Sequence, residues 1–124
     1  MHPKASRTDL VLTWLLSLAF LAAAGAKLAG DRAAVEAFER FGLPHVMVWV
    51  TAGVELIGAL ALHWRAGLWG LSGPAMLAST MAVAVGLHLA HDPPALAMPA
   101  AVLLAMSASL LGWRGRRLMR GGAA

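Results

Sequence analysis

The residue whose type and position most directly suggest chemistry is Glu55. It stands in the run Val50-Thr51-Ala52-Gly53-Val54-Glu55-Leu56-Ile57-Gly58-Ala59-Leu60-Ala61-Leu62, an apolar stretch with one carboxylate near its middle. A charge at the centre of a bilayer costs at least about 2.5 kcal/mol, so such a group faces a bundle interior and is paired, protonated or functional. Two readings are open: a protonated or hydrogen-bonded packing residue, and a ligand or proton site. Lys27 is the second ionisable candidate. At about 1.5 Å per residue, Lys27 near the outer end of one helix and Glu55 near the middle of the next differ in height by about 10 Å. That difference favours Lys27 snorkelling outward to Asp31, Glu36 or Glu39, and a direct pair needs the lysine to reach inward.

The histidines offer a different chemistry. His88 and His91 are three apart and share a helix face, which suits two metal ligands, with Asp92 or His45 as a third. No HExxH-type pattern surrounds them, and the reading is therefore interfacial histidines satisfied by water or headgroups, with no metal. His63, beside Trp64 and Arg65, reads as an interfacial anchor. Cysteine is absent, which removes disulfides, thiolate nucleophiles and cysteine-ligated metal. Redox chemistry would have to come from a partner or a bound cofactor.

The elements that position these residues follow from hydropathy. The 124 residues are 60% hydrophobic and 13% charged, against the roughly 25% charged of an ordinary soluble domain. Each span needs about 20 apolar residues, so the chain holds four at most. The net charge of +4 does not indicate nucleic acid, because the arginines flank apolar spans and no basic helix with interleaved aromatics exists. Leu10 to Ala29 is the first span; its apolar run exceeds the usual signal-peptide core and is read as retained. Gly30 to Pro44 holds a short interfacial helix, with Asp31 as N-cap, Gly42 and Pro44 as the stop, and Phe38 and Phe41 on the apolar face. His45 to Leu62 is the second span. The third runs from about Gly67 to Ala90, either kinked at Pro74 or beginning there. The fourth begins near Pro99 and ends near Trp113.

Ala78, Ala82, Gly86 and Ala90 recur every fourth residue as a ribbon that lets another helix approach closely. Lys4, Arg7, Arg65, Arg114, Arg116, Arg117 and Arg120 fall on the side holding both termini, which the positive-inside rule makes cytoplasmic. The expected architecture is an all-α membrane protein, a four-transmembrane-helix bundle with a short interfacial helix between spans 1 and 2. Residues 1–9 form a cytoplasmic tail, 10–113 the bundle and 114–124 a basic cytoplasmic tail.

Three motifs in order carry a resemblance. Ala24-Gly25-Ala26-Lys27-Leu28 ends the first helix, Phe38-x-x-Phe41-Gly42-Leu43-Pro44 follows, and Gly53-Val54-Glu55-Leu56-Ile57-Gly58-Ala59-Leu60 lies in the second span. Over about residues 10 to 113 the chain resembles the DoxX-like membrane proteins. The resemblance implies a four-helix bundle of the bacterial inner membrane, and Gly25, Lys27, Glu55 and Gly58 as positions of the family pattern. The family name looks back to a subunit of a thiosulfate:quinone oxidoreductase, which implies a membrane subunit of a redox-linked complex with quinone as the candidate cofactor. Whether the chain is itself an enzyme stays open. The alternative is a non-catalytic assembly or scaffold subunit. The expected partners are the lipid bilayer and a membrane protein or a second copy of the chain, with no nucleic acid.

Overall fold

A computed structural model describes residues 6–121. Five α-helices follow one another: α1 (Arg7–Leu28), α2 (Arg32–Arg40), α3 (Val46–Ala61), α4 (Ser72–His91) and α5 (Met98–Arg120), with 3₁₀ turns at Leu68–Leu71 and Pro94–Ala97. No strand occurs among the described residues.

α1 starts earlier than its hydropathy suggests, because Ser6 caps it by accepting a hydrogen bond from the Asp9 amide at 3.0 Å. Its buried positions are Asp9, Thr13, Leu16, Ser17, Phe20 and Ala24, a stripe at three- and four-residue spacing. On α3 the equivalent stripe is Val48, Ala52, Glu55, Gly58 and Ala59. α2 matches its sequence signals: Asp31 accepts from the Ala34 amide at 3.1 Å, and Gly42 leaves the helix at φ +74°, a conformation that favours glycine. α4 begins at Ser72, so Pro74 falls in its first turn and no kink is required. α5 does not stop at Trp113 but continues to Arg120, so most of the expected basic tail is helix. Lys4 lies outside the described residues.

α1, α3, α4 and α5 pack in a ring, α1 against α3 and α5, and α4 against α3 and α5. The chain runs up and down, so Asp9 of α1 meets Arg114 of α5 at one end while Asp92, after α4, meets Arg40 of α2 at the other. Leu16, Phe20, Ala59, Leu62, Leu77, Met81, Ala100 and Leu110 form the core. Three close approaches depend on glycine, among them Gly70, where a Cβ would sit 2.7 Å from the Arg65 carbonyl oxygen. A Cβ at Gly58 would sit 2.6 Å from a methyl of Leu77, and one at Gly73 would sit 2.6 Å from the Leu62 amide nitrogen.

The outside of the bundle is as apolar as its inside. Val11, Leu15 and Leu18 on α1, Val50, Ile57 and Leu60 on α3, Val83 and Leu89 on α4 and Val102 on α5 are all exposed. Soluble monomers rarely present such a surface, whereas lipid requires it. The segments Arg7–Leu28, Leu68–His91 and Pro94–Arg120 are each long and apolar enough to cross a membrane. α3 is shorter: its 16 residues span about 24 Å, against a hydrocarbon core of about 30 Å.

Candidate functional site

α1 carries an acid near its start and a base near its end, Asp9 and Lys27, and each finds its partner on another helix. Lys27 Nζ lies 2.8 Å from Glu55 Oε1. The lysine therefore turns inward, contrary to the outward course that helix depth favoured. The reason is energetic: Glu55 is 1% exposed and has no water to solvate it, and the four-carbon lysine stem is long enough to close the height difference. The Lys27 side chain keeps 16% exposure, so the pair is sealed on the glutamate side and slightly open on the lysine side. The approach is an ion contact without an aligned hydrogen bond, which leaves Glu55 Oε1 short of a directed donor. Its buried neighbours on the same face of α3 are small: Ala52 one turn before it, Gly58 and Ala59 one turn after it. Gly58 acts by seating Leu77, whereas Gly25 is exposed and a Cβ there would meet nothing within 4 Å.

The opposite end holds a second ionic cluster that reading the sequence missed. Arg114 is 4% exposed and Asp9 is fully buried. Arg114 donates from Nε to Asp9 Oδ2 at 2.9 Å and from Nη2 to Oδ1 at 3.1 Å, a two-pronged pair. Nη2 also reaches Thr13 Oγ1 at 2.9 Å, and Thr13 in turn donates to Asp9 Oδ1 at 3.1 Å. The same guanidinium donates to the carbonyls of Leu62 at 2.7 Å, Gly70 at 2.9 Å and Trp64 at 3.4 Å. It thus caps the end of α3, where free carbonyls favour a cation, and ties α1, α5 and the α3–α4 turn into one clasp. The signal was present in the register: Asp9 precedes Thr13 and Leu16 by four and seven residues, and Arg114 follows Leu110 and Ser107 by the same steps. His63, placed at this end by its tryptophan and arginine neighbours, shares a 2.9 Å hydrogen bond with Ser17 and packs edge-on to Trp14.

At the α2 end, Arg40 donates to Asp92 Oδ1 at 2.7 Å, and His88 Nδ1 lies 2.8 Å from Asp92 Oδ2. The Arg40 hydrogen bond, with help from His88, holds the Asp92 carboxyl below the usual carboxylate range, and Asp92 in turn raises Arg40. Phe41 is buried against the rings of His88 and His91, at 5.0 and 5.8 Å between centroids. His88 and Asp92 are thus engaged with each other and with Arg40, and no group of three potential metal ligands occurs among the described residues.

The ribbon on α4 does not serve the bundle interior. Leu77 and Met81 point inward, and the positions one residue later fall outside: Ala82, Gly86 and Ala90 are exposed and only Ala78 is half-buried. A Cβ at Gly86 would meet nothing within 4 Å.

Four packed helices with an apolar exterior and charges paired inside define an integral membrane helix bundle. The family model of the DoxX-like family matches residues 11–109, and the chain belongs to that family. No curated protein and no solved structure matches it.

Proposed function

We propose that this chain is a four-span subunit of a redox-linked assembly in the bacterial inner membrane, with the Lys27–Glu55 pair as the place where a quinone headgroup is held. The observation that carries the reading is that pair: a cation and an acid side by side in apolar surroundings, with one carboxylate oxygen lacking an aligned donor. Ion pairs inside a membrane are costly and cluster at functional positions. The Lys27 ammonium can donate a hydrogen bond to a carbonyl oxygen, and Glu55 can give or accept a proton beside it. A bound quinone supplies the electron acceptor, and a partner protein supplies the electrons. Membership of the DoxX-like family is consistent with this role.

α3 counts as the fourth span in this reading despite its length. It packs against α1 and α4 as the other helices pack on their neighbours, and the polar residues His45 and His63 flank its two ends. The start of α1 and the end of α5 lie where Arg7, Arg65, Arg114, Arg116, Arg117 and Arg120 gather, which favours a cytoplasmic location for that end.

The test is bound quinone after purification in native lipids, quantified by mass spectrometry. Wild type is expected to retain quinone and Glu55→Gln to lose most of it. Absence from both, with no redox partner co-purifying, sinks the reading.

The exposed ribbon favours a second reading, in which the protein is a non-catalytic assembly subunit docking a neighbouring helix along Ala82, Gly86 and Ala90. It expects Gly86→Leu to disrupt partner association while Glu55→Gln leaves it intact. The reverse pattern counts against it.

A further inference from the structure

The clasp end carries more positive charge than its single acid can use. Among the described residues, Arg7, Arg65, Arg114, Arg116, Arg117 and Arg120 gather there against Asp9 alone. Asp9 is already occupied on both oxygens by Arg114 and on one by Thr13. Arg65 Nε stands 3.3 Å from Asp9 Oδ1, and an Arg117 Nη1 stands 3.9 Å from Oδ2. The first of these nitrogens is buried without a hydrogen-bond partner, and the second distance exceeds hydrogen-bond reach. Both side chains remain partly open, at 28% and 29% exposure.

Next to Arg65 the surface changes character: Trp64, Leu68 and Trp69 are 58%, 74% and 67% exposed. The two indoles lie 5.9 Å apart. Amphipathic rings of this kind settle at headgroup level.

We propose that Arg65 and Arg117 bind the phosphate of an anionic phospholipid whose acyl chains cover Trp64, Leu68 and Trp69. Guanidinium groups match phosphate oxygens in a fork geometry, and a phosphate supplies acceptors to the parts of the Arg65 and Arg117 side chains that remain open. The adjoining apolar surface selects a lipid over a free anion, which has no chains to cover it. Asp9 holds both arginines near the site without satisfying them.

The experiment uses the full chain in neutral detergent. It is titrated separately with phosphatidylglycerol, with phosphatidylcholine of the same acyl chains, and with inorganic phosphate. Native mass spectrometry reads bound lipid, and the thermal midpoint reads stabilisation. Phosphatidylglycerol is expected to be retained in preference to phosphatidylcholine, and removing each arginine as glutamine to weaken it roughly fivefold, so about 25-fold for the Arg65→Gln, Arg117→Gln pair. If the double variant does not fold, Arg117→Gln alone carries the test, since that side chain makes no hydrogen bond to Asp9. Equal retention of the two lipids, or undiminished binding by the foldable variant, overturns the proposal. A midpoint raised as much by inorganic phosphate as by phosphatidylglycerol overturns the lipid assignment in favour of a free-anion site.

Discussion

Asp9 and Lys27 stand near opposite ends of α1, yet their charges are accommodated in different ways. At the Asp9 end the carboxylate is fully buried and each oxygen is aligned with a donor, while the partner arginine spends its remaining donors on three carbonyls. At the Lys27 end the contact is as short, 2.8 Å, but one side chain is partly open and the carboxylate oxygen lacks an aligned hydrogen bond. The first arrangement engages both Asp9 oxygens in aligned hydrogen bonds and acts as a structural clasp. The second leaves bonding capacity unused on the glutamate and keeps the lysine side chain partly open. Structural ion pairs consume their hydrogen-bonding capacity, and binding sites hold some back.

Breaking the clasp is the most damaging test of that contrast. Asp9→Asn or Arg114→Gln leaves a buried charge without its partner, an expected loss of about 3–5 kcal/mol. Unfolding in mixed micelles measures it. The paired change Asp9→Leu with Arg114→Met is expected to recover only part of the loss, because the carbonyls of Leu62, Trp64 and Gly70 still lose their donor.

The Lys27–Glu55 pair is expected to respond less, and unequally. Glu55→Gln frees a lysine that can turn to the surface, for an expected cost of about 1 kcal/mol. Lys27→Met strands the buried carboxylate, for an expected cost of about 2–3 kcal/mol. Equal losses in the same unfolding assay, or losses matching the clasp variants, would erase the distinction between the two regions.

Gly58→Val probes the close approach of α3 and α4 one turn beyond the glutamate. The added methyls collide with Leu77, for an expected loss of about 1–3 kcal/mol, whereas Gly25→Ala, facing open space, is expected to change stability little.

The smallest expected effect lies at the α2 end. The Asp92 carboxyl is held below its ordinary value chiefly by Arg40. A carboxyl lowered in the folded state contributes stability that is fully present above its unfolded value, about pH 4, and lost as pH falls through the folded one. The acid limb of the stability profile is therefore expected to flatten slightly in Asp92→Asn, with no change near neutrality in its slope.

Much of the architecture was legible before folding. Hydropathy located the apolar segments, Asp31 and Gly42 bounded α2, and the ordered motifs around Lys27, Phe41 and Glu55 pointed to the DoxX-like family that the match over residues 11–109 establishes. Helix ends were less legible. Ser6 extends α1 through a cap, and α5 runs on to Arg120 through residues whose charges resemble a tail. Arg114 in particular reads as one more flanking base until its register with Leu110 and Ser107 is followed.

The sequence by itself determined that this is a membrane helix bundle, because spans follow from local hydropathy and caps from neighbouring residues. It also determined that Glu55 must be paired or protonated, since that cost is local to the residue. Tertiary structure alone decided which groups meet. Lys27 turns inward because α3 brings an unsolvated carboxylate within its reach, and Arg114 is buried because α1 and the α3–α4 turn converge on it with a carboxylate and three carbonyls. Those partners lie up to 105 residues away along the chain, a distance over which no periodicity speaks.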